Sequence, residues 1–246
     1  MKRAAKGDAL SLRLRMIADL VTGGNRLADV GCDHGYLSIE LVSSGRCPHA
    51  VAMDVRPGPL SRAREHIMEA GLQDRIDTRL GDGLKELCPG EADSVVIAGM
   101  GGPLMEQIIS DSIGLCRTMK ELILQPQSDI PHFRRFLFEN GFLIRDERMV
   151  KDAGKYYIAV KAVPLSREMA EEKSVPWNET ELLCGKVLLG RKDPVLKEYL
   201  IREKRLYEQI LDRLQGTDTE NAAIRDAGVR KILGMIGEGL AVYESF

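Results

Sequence analysis

Up to about Val163, short apolar runs alternate with stretches of helical periodicity. Each apolar run ends near Gly, Pro or Asp, as a buried strand does where it leaves a sheet. The predicted strands are 26–30, 49–55, 93–99 and 120–125, and the predicted helices are 35–44, 58–70, 102–110 and 129–140. This alternation of strand and helix predicts a parallel sheet with helices packed on its faces.

Two further runs lie close together in the sequence. GFLIRDERMVKD (141–152) and KYYIAVKAV (155–163) flank the turn-like DAGK, which predicts an antiparallel hairpin. A doubly wound α/β sheet, Rossmann-like and ending in a hairpin, is more typical of methyltransferases than of dehydrogenases. This is an analogy at the level of the fold, so it raises an expectation and does not identify a function.

The pattern changes after Val163. Residues 180–246 show no strand pattern, and apolar residues recur there at spacings near three and four: Leu196, Leu200, Leu206, Ile210 and Leu214. A second helical stretch runs from about 220 to 243, after the polar QGTDTEN. Two long helices joined by a polar turn predict an antiparallel helical hairpin, coiled-coil-like in character. We therefore expect a catalytic domain at 1–163 and a helical domain at 164–246.

The composition is that of a globular protein, with 44% hydrophobic and 29% charged residues. No apolar run approaches the roughly 20 residues of a membrane helix, and the basic start lacks the apolar stretch of a signal peptide. Five scattered cysteines without a C-x-x-C pair suit reduced thiols better than disulfides or zinc. We expect a cytoplasmic protein with no membrane partner; the oligomeric state stays open, with a monomer favoured.

The net charge of −2 does not indicate a nucleic-acid partner. Residues 1–26 are nevertheless locally basic, since six basic residues stand there against Asp8 and Asp19: Lys2, Arg3, Lys6, Arg13, Arg15 and Arg26. Such an edge can attract phosphate. A solvated helix face explains the same residues and is the simpler interpretation.

The segment LADVGCDHGYLSI (27–39) has the pattern of a cofactor-binding turn. A strand ends at Val30, Gly31 and Gly35 follow with three residues between them, and a helix begins. Glycine lets the backbone approach a ligand closely, and the helix start offers free N–H groups. The spacing differs from the G-x-G-x-x-G of dinucleotide sites, so the turn alone does not identify the ligand.

Two later acids narrow the choice of cofactor. Asp54 closes the second strand about 20–25 residues after the loop, where an acid can accept both ribose hydroxyls, and Asp82 in LGDGL can meet an adenine. With no phosphate-binding lysine, the set fits S-adenosylmethionine (SAM) better than other Rossmann-type cofactors. A metal site at Asp29, Asp33 and His34 is rejected, because no further ligand stands at a spacing typical of zinc.

Several motifs together resemble a known family. LSLRLRMIADLV, LADVGCDHGYLSIELV, AMDVRPGPLSRA, RLGDGL, VVIAGMGG and LILQPQSD occur in order over most of residues 8–163. In this order and at these intervals they are similar to the bacterial tRNA (adenine-22-N1)-methyltransferases, the TrmK family. The resemblance implies methyl transfer from SAM to N1 of an adenine in the D-arm region of tRNA, with the helical hairpin helping to hold the tRNA.

The resemblance also implies roles for individual residues. Asp54 should hold the ribose, Asp82 with Gly83 should flank the adenine, and 99–102 should form the floor where methyl group and target base meet. Family members often have Asn where this chain has Gln127; both side chains are amides, so a polar contact at this position can be kept. The candidate cofactor-binding residues are Asp29, Gly31, Cys32, Gly35, Asp54, Asp82, Gly83, Gly99, Met100 and Gly101.

The candidate catalytic residues are Asp33 and His34. Adenine N1 carries a lone pair and no proton, so no strong base is needed, whereas a carboxylate would stabilise the cationic product. Asp33 suits that role, with a helix cap as the equal alternative, and His34 suits loop hydrogen bonds better than base catalysis. Tyr36 could stack on a flipped base, although core packing is the commoner role.

The loop after the fourth strand, Ala98 to Pro103, lacks the (Asp/Asn)-Pro-Pro-aromatic pattern of enzymes that act on exocyclic amines, which favours a ring nitrogen. Two other functions stay open. One is a SAM-dependent methyltransferase of a small molecule or protein, and the other is a non-catalytic RNA-binding protein with a SAM fold.

Overall fold

The computed structural model describes residues 10–166, 177–214 and 220–244. Its strands are β1 (Leu27–Val30), β2 (Ala50–Asp54), β3 (Ile76–Leu80), β4 (Ser94–Met100), β5 (Glu121–Pro126), β6 (Phe142–Asp152) and β7 (Lys155–Pro164). Its helices are α1 (Leu12–Leu20), α2 (Tyr36–Ser43), α3 (Pro57–Glu69), α4 (Gly102–Asp111), α5 (Ile113–Cys116), α6 (Ile130–Glu139), α7 (Glu179–Cys184), α8 (Lys186–Gly190), α9 (Pro194–Leu214) and α10 (Glu220–Ala241).

The strands form one sheet of seven in the order β3-β2-β1-β4-β5-β7-β6. β1 to β5 pair in parallel, whereas β7 is antiparallel to both β5 and β6. The predicted Rossmann-like methyltransferase sheet is therefore confirmed, including its terminal hairpin. The strand order reverses between β1 and β4, and a ligand crevice forms at such a switch point, outside the carboxyl ends of the strands.

The core lies on both faces of the sheet. Every residue of β1, β2 and β5 is buried, which explains why these strands are continuous apolar runs. One apolar cluster joins α1, α2 and α3 to one face, and the other joins α4, α6 and the C-terminal helices to the opposite face.

The C-terminal helices pack against each other in antiparallel directions. The hydroxyl of Tyr243 donates to the carbonyl of Asp193 at 2.8 Å, and a Cβ at Gly239 would lie 3.3 Å from Leu200 Cδ1. The helical hairpin is thus present, although most of its predicted QGTDTEN turn falls at 215–219, outside the described residues. Of the apolar residues that recur along this segment, Leu196 and Leu200 are buried, whereas Leu206 is 45% exposed.

The division of the chain at 163 and 164 stays a prediction. β7 ends at Pro164, and the following helices share an apolar cluster with the sheet: Cys184, Leu188, Leu196, Leu200 and Ile236 belong to it. None of the helices in the described ranges is both long and apolar enough to cross a membrane.

Candidate cofactor and methyl-transfer site

The glycine loop after β1 is held against the ends of its neighbouring strands. Gly31 has φ +74°, and the N–H groups of Gly31 and Cys32 both donate to the carbonyl of Met53, at 2.8 and 2.9 Å. A Cβ at Gly31 would lie 2.3 Å from Met100 Cε, so any other residue there would have to displace the end of the Met100 side chain and would also be strained by the positive φ. The loop is thus fastened to β2 and packed under β4, where the strand order reverses.

Asp54 is the most firmly held carboxylate of the site. It ends β2 and is 5% exposed; its Oδ1 accepts from the N–H of Arg56 at 2.9 Å, and its Oδ2 accepts from the N–H of Asp33 at 3.4 Å. The Arg56 guanidinium stays 3.8 Å from Oδ1. Each carboxylate oxygen keeps a lone pair for a ligand, so Asp54 is suited to accept two neighbouring hydroxyls such as those of a ribose.

Asp29 lies behind the loop. It is buried in β1, and the hydroxyl of Ser38 on α2 donates to its Oδ2 at 2.7 Å. Burial raises the pKa of Asp29 to about 6, although the hydrogen bond from Ser38 lowers it, and the nearby charge of Asp54 adds to the rise. This contact ties β1 to the helix that follows the loop and so stabilises the loop from the strand side.

Asp33 faces solvent at the tip of the loop. Its φ is +50°, its side chain is 58% exposed, and its Oδ2 lies 3.7 Å from His34 Nε2. The N-cap of α2 is Gly35, and no side chain caps that helix. The alternative that Asp33 caps the helix is therefore wrong, and its carboxylate is available to a substrate.

The ring of His34 belongs to an aromatic cluster. The rings of His34, Tyr36 and His66 lie in near-parallel planes with centroids 5.0 to 5.7 Å apart, and His66 Nδ1 lies 3.0 Å from the carbonyl oxygen of His34. His34 Nδ1 is buried without a hydrogen-bond partner in the described part of the chain. Tyr36 is 49% exposed, so the expectation of core packing for this tyrosine is wrong.

The loop after β3 brings Asp82 and Gly83 to the same edge. The N–H of Gly81 donates to the carbonyl of Asp54 at 3.1 Å, which joins this loop to β2. Gly83 has φ +63°, and a Cβ there would lie 3.0 Å from Ile108 Cγ2 on α4. Asp82 is exposed and paired with Lys85 at 2.5 Å, so a ligand that reaches Asp82 shares it with this ammonium group.

The thiol of Cys32 is part of the packing. It is buried, and burial together with the charges of Asp29 and Asp54 raises its pKa far above the usual range. Because the thiolate is the nucleophilic form, this cysteine is chemically inert at neutral pH.

The end of β4 forms an open floor. Gly99 has φ +79°, and the register with β5 shifts between Ala98 and Met100. The nearest atoms to a Cβ at Gly99 would be Arg13 Nη1 at 3.5 Å and Gln127 Nε2 at 3.8 Å. Gly101 is tightly packed, since a Cβ there would lie 3.2 Å from Ser128 Oγ. Apart from Met100, whose side chain reaches Gly31, the floor thus consists of glycines and is bordered by polar groups.

Arg13 is the residue at this floor that sequence reasoning missed. It was counted only as one charge of a basic segment, whereas its Nη1 donates to Gln125 Oε1 at 3.0 Å across the sheet edge. Arg26, by contrast, pairs with Asp93 at 3.0 Å, at the amino end of β1 and away from the site. Lys2, Arg3 and Lys6 lie outside the described residues. The basic residues of 1–26 therefore do not act as one patch within the described part.

The described residues contain no group of three or more His, Cys, Asp or Glu side chains placed to hold a metal ion. The carboxyl ends of β1 to β4 instead bring together a glycine loop hydrogen-bonded to β2, a buried carboxylate at Asp54, a second acid at Asp82 and the open floor at Gly99. This donor set suits a ligand with a ribose and an adenine, as SAM has.

Comparison with known proteins agrees with this geometry. The profile of a methyltransferase domain family matches residues 10–160. The tRNA (adenine(22)-N(1))-methyltransferase of Bacillus subtilis (strain 168) is 33% identical over 215 residues, which cover 86% of this chain and 88% of that protein. The crystal structure of the B. subtilis m1A22 tRNA methyltransferase TrmK matches with a TM-score of 0.83 at 28% identity, over 94% of this chain and 99% of that chain.

A second solved structure carries the cofactor. Streptococcus pneumoniae Sp1610 in complex with S-adenosyl-L-methionine matches with a TM-score of 0.82 at 28% identity, over 94% of this chain and all of that chain. The similarity to these proteins extends through the sheet and the C-terminal helices alike. The chain therefore belongs to the tRNA (adenine(22)-N(1))-methyltransferase family.

Proposed function

We propose that this protein transfers the methyl group of SAM to N1 of an adenine in tRNA, adenine 22 in the D-arm region. The observation that carries this function is the buried carboxylate of Asp54, held by two backbone N–H groups opposite the glycine loop of β1. When bound, SAM supplies a methyl group on a positively charged sulfur, which is already an activated leaving group. The protein has mainly to bind and align the two reactants.

On the cofactor side, Asp54 accepts the ribose hydroxyls, and Asp82 with the backbone at Gly83 borders the adenine. Gly31 and Gly35 let the loop backbone lie close to the ligand, and Asp29 keeps that loop in place through Ser38. Met100 and Gly101 border the far side of the same space, next to the floor at Gly99.

On the acceptor side, Asp33 is the charged group that serves the reaction. Adenine N1 attacks with its own lone pair, so no base has to remove a proton at that step. Positive charge develops on the adenine as the bond forms, and an oriented carboxylate lowers the energy of that state. Asp33 is exposed, and within the described ranges the charged partner of its carboxylate is His34 Nε2 at 3.7 Å, so the target adenine can reach it.

The floor of the site favours a ring nitrogen as acceptor. Ala98 to Pro103 carries no amide or aromatic side chain that could hold an exocyclic amino group, and Gly99 leaves space at the end of β4. A planar base can lie on such a surface without displacing a side chain.

For the tRNA itself we propose a second contact region, the arm groove, which lies between the β6–β7 hairpin and α9. The residues that line it are Lys151, Tyr156, Glu198, Ile201, Arg202, Arg205, Leu206 and Gln209. Arg202 lies 5.6 Å from the centroid of the Tyr156 ring, and Lys151 pairs with Glu198 at 2.5 Å. Arg205 is exposed and makes no ion pair with any described residue. Two arginines beside an aromatic ring form a surface that suits a phosphate backbone.

The decisive experiment is incubation of unmodified tRNA with SAM and the protein, followed by mass mapping of the methylated nucleoside. We expect 1-methyladenosine at position 22. 1-Methyladenosine at another position would contradict the assignment to adenine 22 but would still support SAM-dependent methylation at N1. Asp54→Asn is the matched inactive control, and we expect calorimetry to show weaker SAM binding by this variant.

The same experiment separates the other two functions. SAM binding without methylation of any tRNA would favour a small-molecule or protein substrate. Absence of SAM binding would leave only a non-catalytic RNA-binding protein. Action on tRNA is compatible with the cytoplasm as the compartment, and the monomeric state stays a prediction that light scattering can test.

A further inference from the structure

Arg13 is fixed at the edge of the methyl-transfer floor by contacts from three strands. Its backbone N–H donates to Asp152 Oδ2 at 3.1 Å, at the end of β6. Its guanidinium carbon lies 5.7 Å from the centroid of the Tyr157 ring on β7, and its Nη1 donates to Gln125 Oε1 on β5 at 3.0 Å. The side chain is therefore held in one direction although it comes from a helix outside the sheet.

Gln125 is arranged to receive this arginine. Its side chain is fully buried near the end of β5, and its Nε2 donates to the carbonyl of Pro126 at 3.2 Å. That bond turns Oε1 toward Arg13, so the neutral amide orients the guanidinium without cancelling its charge. The carboxylate of Asp152 binds the backbone of Arg13 and forms no ion pair with its guanidinium.

The remaining donors of Arg13 have no partner among the described residues. Of the three guanidinium nitrogens, only Nη1 donates a hydrogen bond there. This nitrogen lies 3.5 Å from the position of a Cβ at Gly99, which places the charge beside the floor. A planar guanidinium with free N–H groups is well matched to the oxygens of a phosphate group, because it can donate two parallel hydrogen bonds.

The chemistry of the reaction decides which part of the nucleotide such a cation can contact. The adenine becomes positively charged during methylation at N1, so a guanidinium against the ring would oppose the reaction. The anionic part of the nucleotide is its phosphate. We propose that Arg13 binds a phosphate that flanks the target adenine and so sets the position of the base over Gly99. This inference rests on the proposed function.

The test compares Arg13→Ala with Arg13→Lys and with Arg15→Ala, an exposed arginine of the same helix whose loss removes the same charge. We expect Arg13→Ala to raise the KM for tRNA roughly 10- to 100-fold, the effect of one charge-assisted hydrogen-bond set. The slope of log KM against log salt concentration should fall by about one. Arg13→Lys should recover part of the affinity, and SAM affinity by calorimetry should stay unchanged in all three variants.

An Arg13→Ala protein with wild-type KM and salt slope would overturn the inference while the methyltransferase function stands. An equal rise in the KM for tRNA in Arg13→Ala and Arg15→Ala would also overturn the inference, because the loss of net charge would then explain the effect. Filter binding of tRNA without SAM gives a readout that does not need methylation. If the wild type methylates no tRNA, the proposed function fails, and this binding assay still decides whether Arg13 contacts RNA. Thermal unfolding establishes that each variant is folded.

Discussion

Asp33 and Asp54 are joined by one hydrogen bond, yet their carboxylates have opposite environments. Asp54 is buried and accepts from two backbone N–H groups, whereas the Asp33 carboxylate is exposed and lies 3.7 Å from His34 Nε2. A buried, oriented carboxylate suits specific binding of hydroxyl groups. An exposed carboxylate at the tip of a loop suits contact with a second reactant that arrives from solvent. The two acids are thus suited to different partners.

Asp33→Asn tests the role on the acceptor side. Asparagine keeps the backbone N–H to Asp54 and tolerates the positive φ of this position, so the loop should keep its shape. We expect unchanged SAM affinity and a kcat about 10- to 100-fold lower, because the carboxylate no longer stabilises the developing cation. Single-turnover rates at saturating tRNA and SAM measure this, and an unchanged rate would refute the electrostatic role.

Asp29 should make stability depend on pH. Its pKa is about 6 in the folded protein, above the roughly 3.9 of an unfolded chain. The folded protein therefore holds a proton that the unfolded chain releases, and the free energy of unfolding falls as pH rises from about 4 to 6. Because asparagine does not titrate, we expect the free energy of unfolding of Asp29→Asn to fall by about 2 to 3 kcal/mol less than that of the wild type over this pH range.

Urea unfolding of the wild type and Asp29→Asn between pH 4 and 8 measures the effect, with the exposed Asp77→Asn as control. The free energy of unfolding of Asp29→Asn relative to the wild type should rise with pH and level off above about pH 7. A difference that does not change with pH would mean that the carboxyl keeps an ordinary pKa in the folded protein.

Sequence spacing predicted the residues at or just beyond the carboxyl ends of strands, since the carboxyl ends of parallel strands meet at one edge. Asp54, Asp82 and Gly99 are of this kind, and the structure places all three at that edge. Arg13 could not be predicted in this way, because its contact with Gln125 spans 112 positions of the chain. An arginine in an amphipathic segment gives no sign of which strand its side chain reaches.

At the scale of elements, the strand list derived from apolar runs omits β3, and the apolar side of α1 was not recognised; burial is uneven in both elements. β3 is an edge strand in which only Ile76 is buried, and its IDTRL sequence lacks a continuous apolar run. α1 was judged by its charges, although Met16, Ile17, Ala18 and Leu20 pack on the sheet. The central strands and the helices after them were predicted closely, since they are buried on both faces or have one apolar side.

The C-terminal helices are fastened to the sheet by a buried ion pair that no sequence pattern indicates. Arg134 on α6 and Glu147 on β6 are both fully buried, with Nε and Oε1 2.8 Å apart. Arg134 Nη1 also donates to the carbonyls of Leu182 and Leu183 on α7, at 2.7 and 3.0 Å. One side chain of α6 thus satisfies groups from two further elements, β6 and α7.

Arg134→Met should destabilise the protein by about 3 to 5 kcal/mol, because it leaves the buried charge of Glu147 without a cationic partner and with only the N–H of Val187 among the described residues. The neighbouring Arg135→Met is the control, since the Arg135–Glu179 pair is exposed and should contribute little. Denaturant unfolding of both variants measures the difference. Equal stability losses would show that burial of the Arg134–Glu147 pair has no special energetic weight.

At the scale of the whole molecule, a protein of net charge −2 must bind RNA through local arrangement of its basic residues. The arm groove provides one such arrangement and the floor at Gly99 another. They lie on opposite faces of the β6–β7 hairpin, since Tyr156 faces α9 and Tyr157 faces α1. A tRNA that reaches both must therefore extend around the hairpin, past its tip or past the free edge of β6.

Arg205→Ala tests the arm groove. We expect a KM for full-length tRNA about 5- to 20-fold higher, since one phosphate contact is lost, with unchanged kcat and SAM affinity. Arg230→Ala on α10 is the control, because Asp226 already pairs with that arginine at 2.6 Å. If Arg205→Ala leaves tRNA binding intact at several salt concentrations, the groove is not part of the tRNA-binding surface.

The tip of the β6–β7 hairpin should tolerate inserted residues poorly. Lys151 binds Glu198 of α9 on one face, and its neighbour Asp152 binds the backbone of Arg13 on the other. Exposed turns ordinarily accept inserted residues. Here, one residue added just before Lys151 would shift the alternation of side chains by one and exchange the two faces. The length of this strand is therefore constrained by parity: a single added residue exchanges the faces unless a further β-bulge absorbs it, as the bulge between Ile144 and Asp146 does in the same strand.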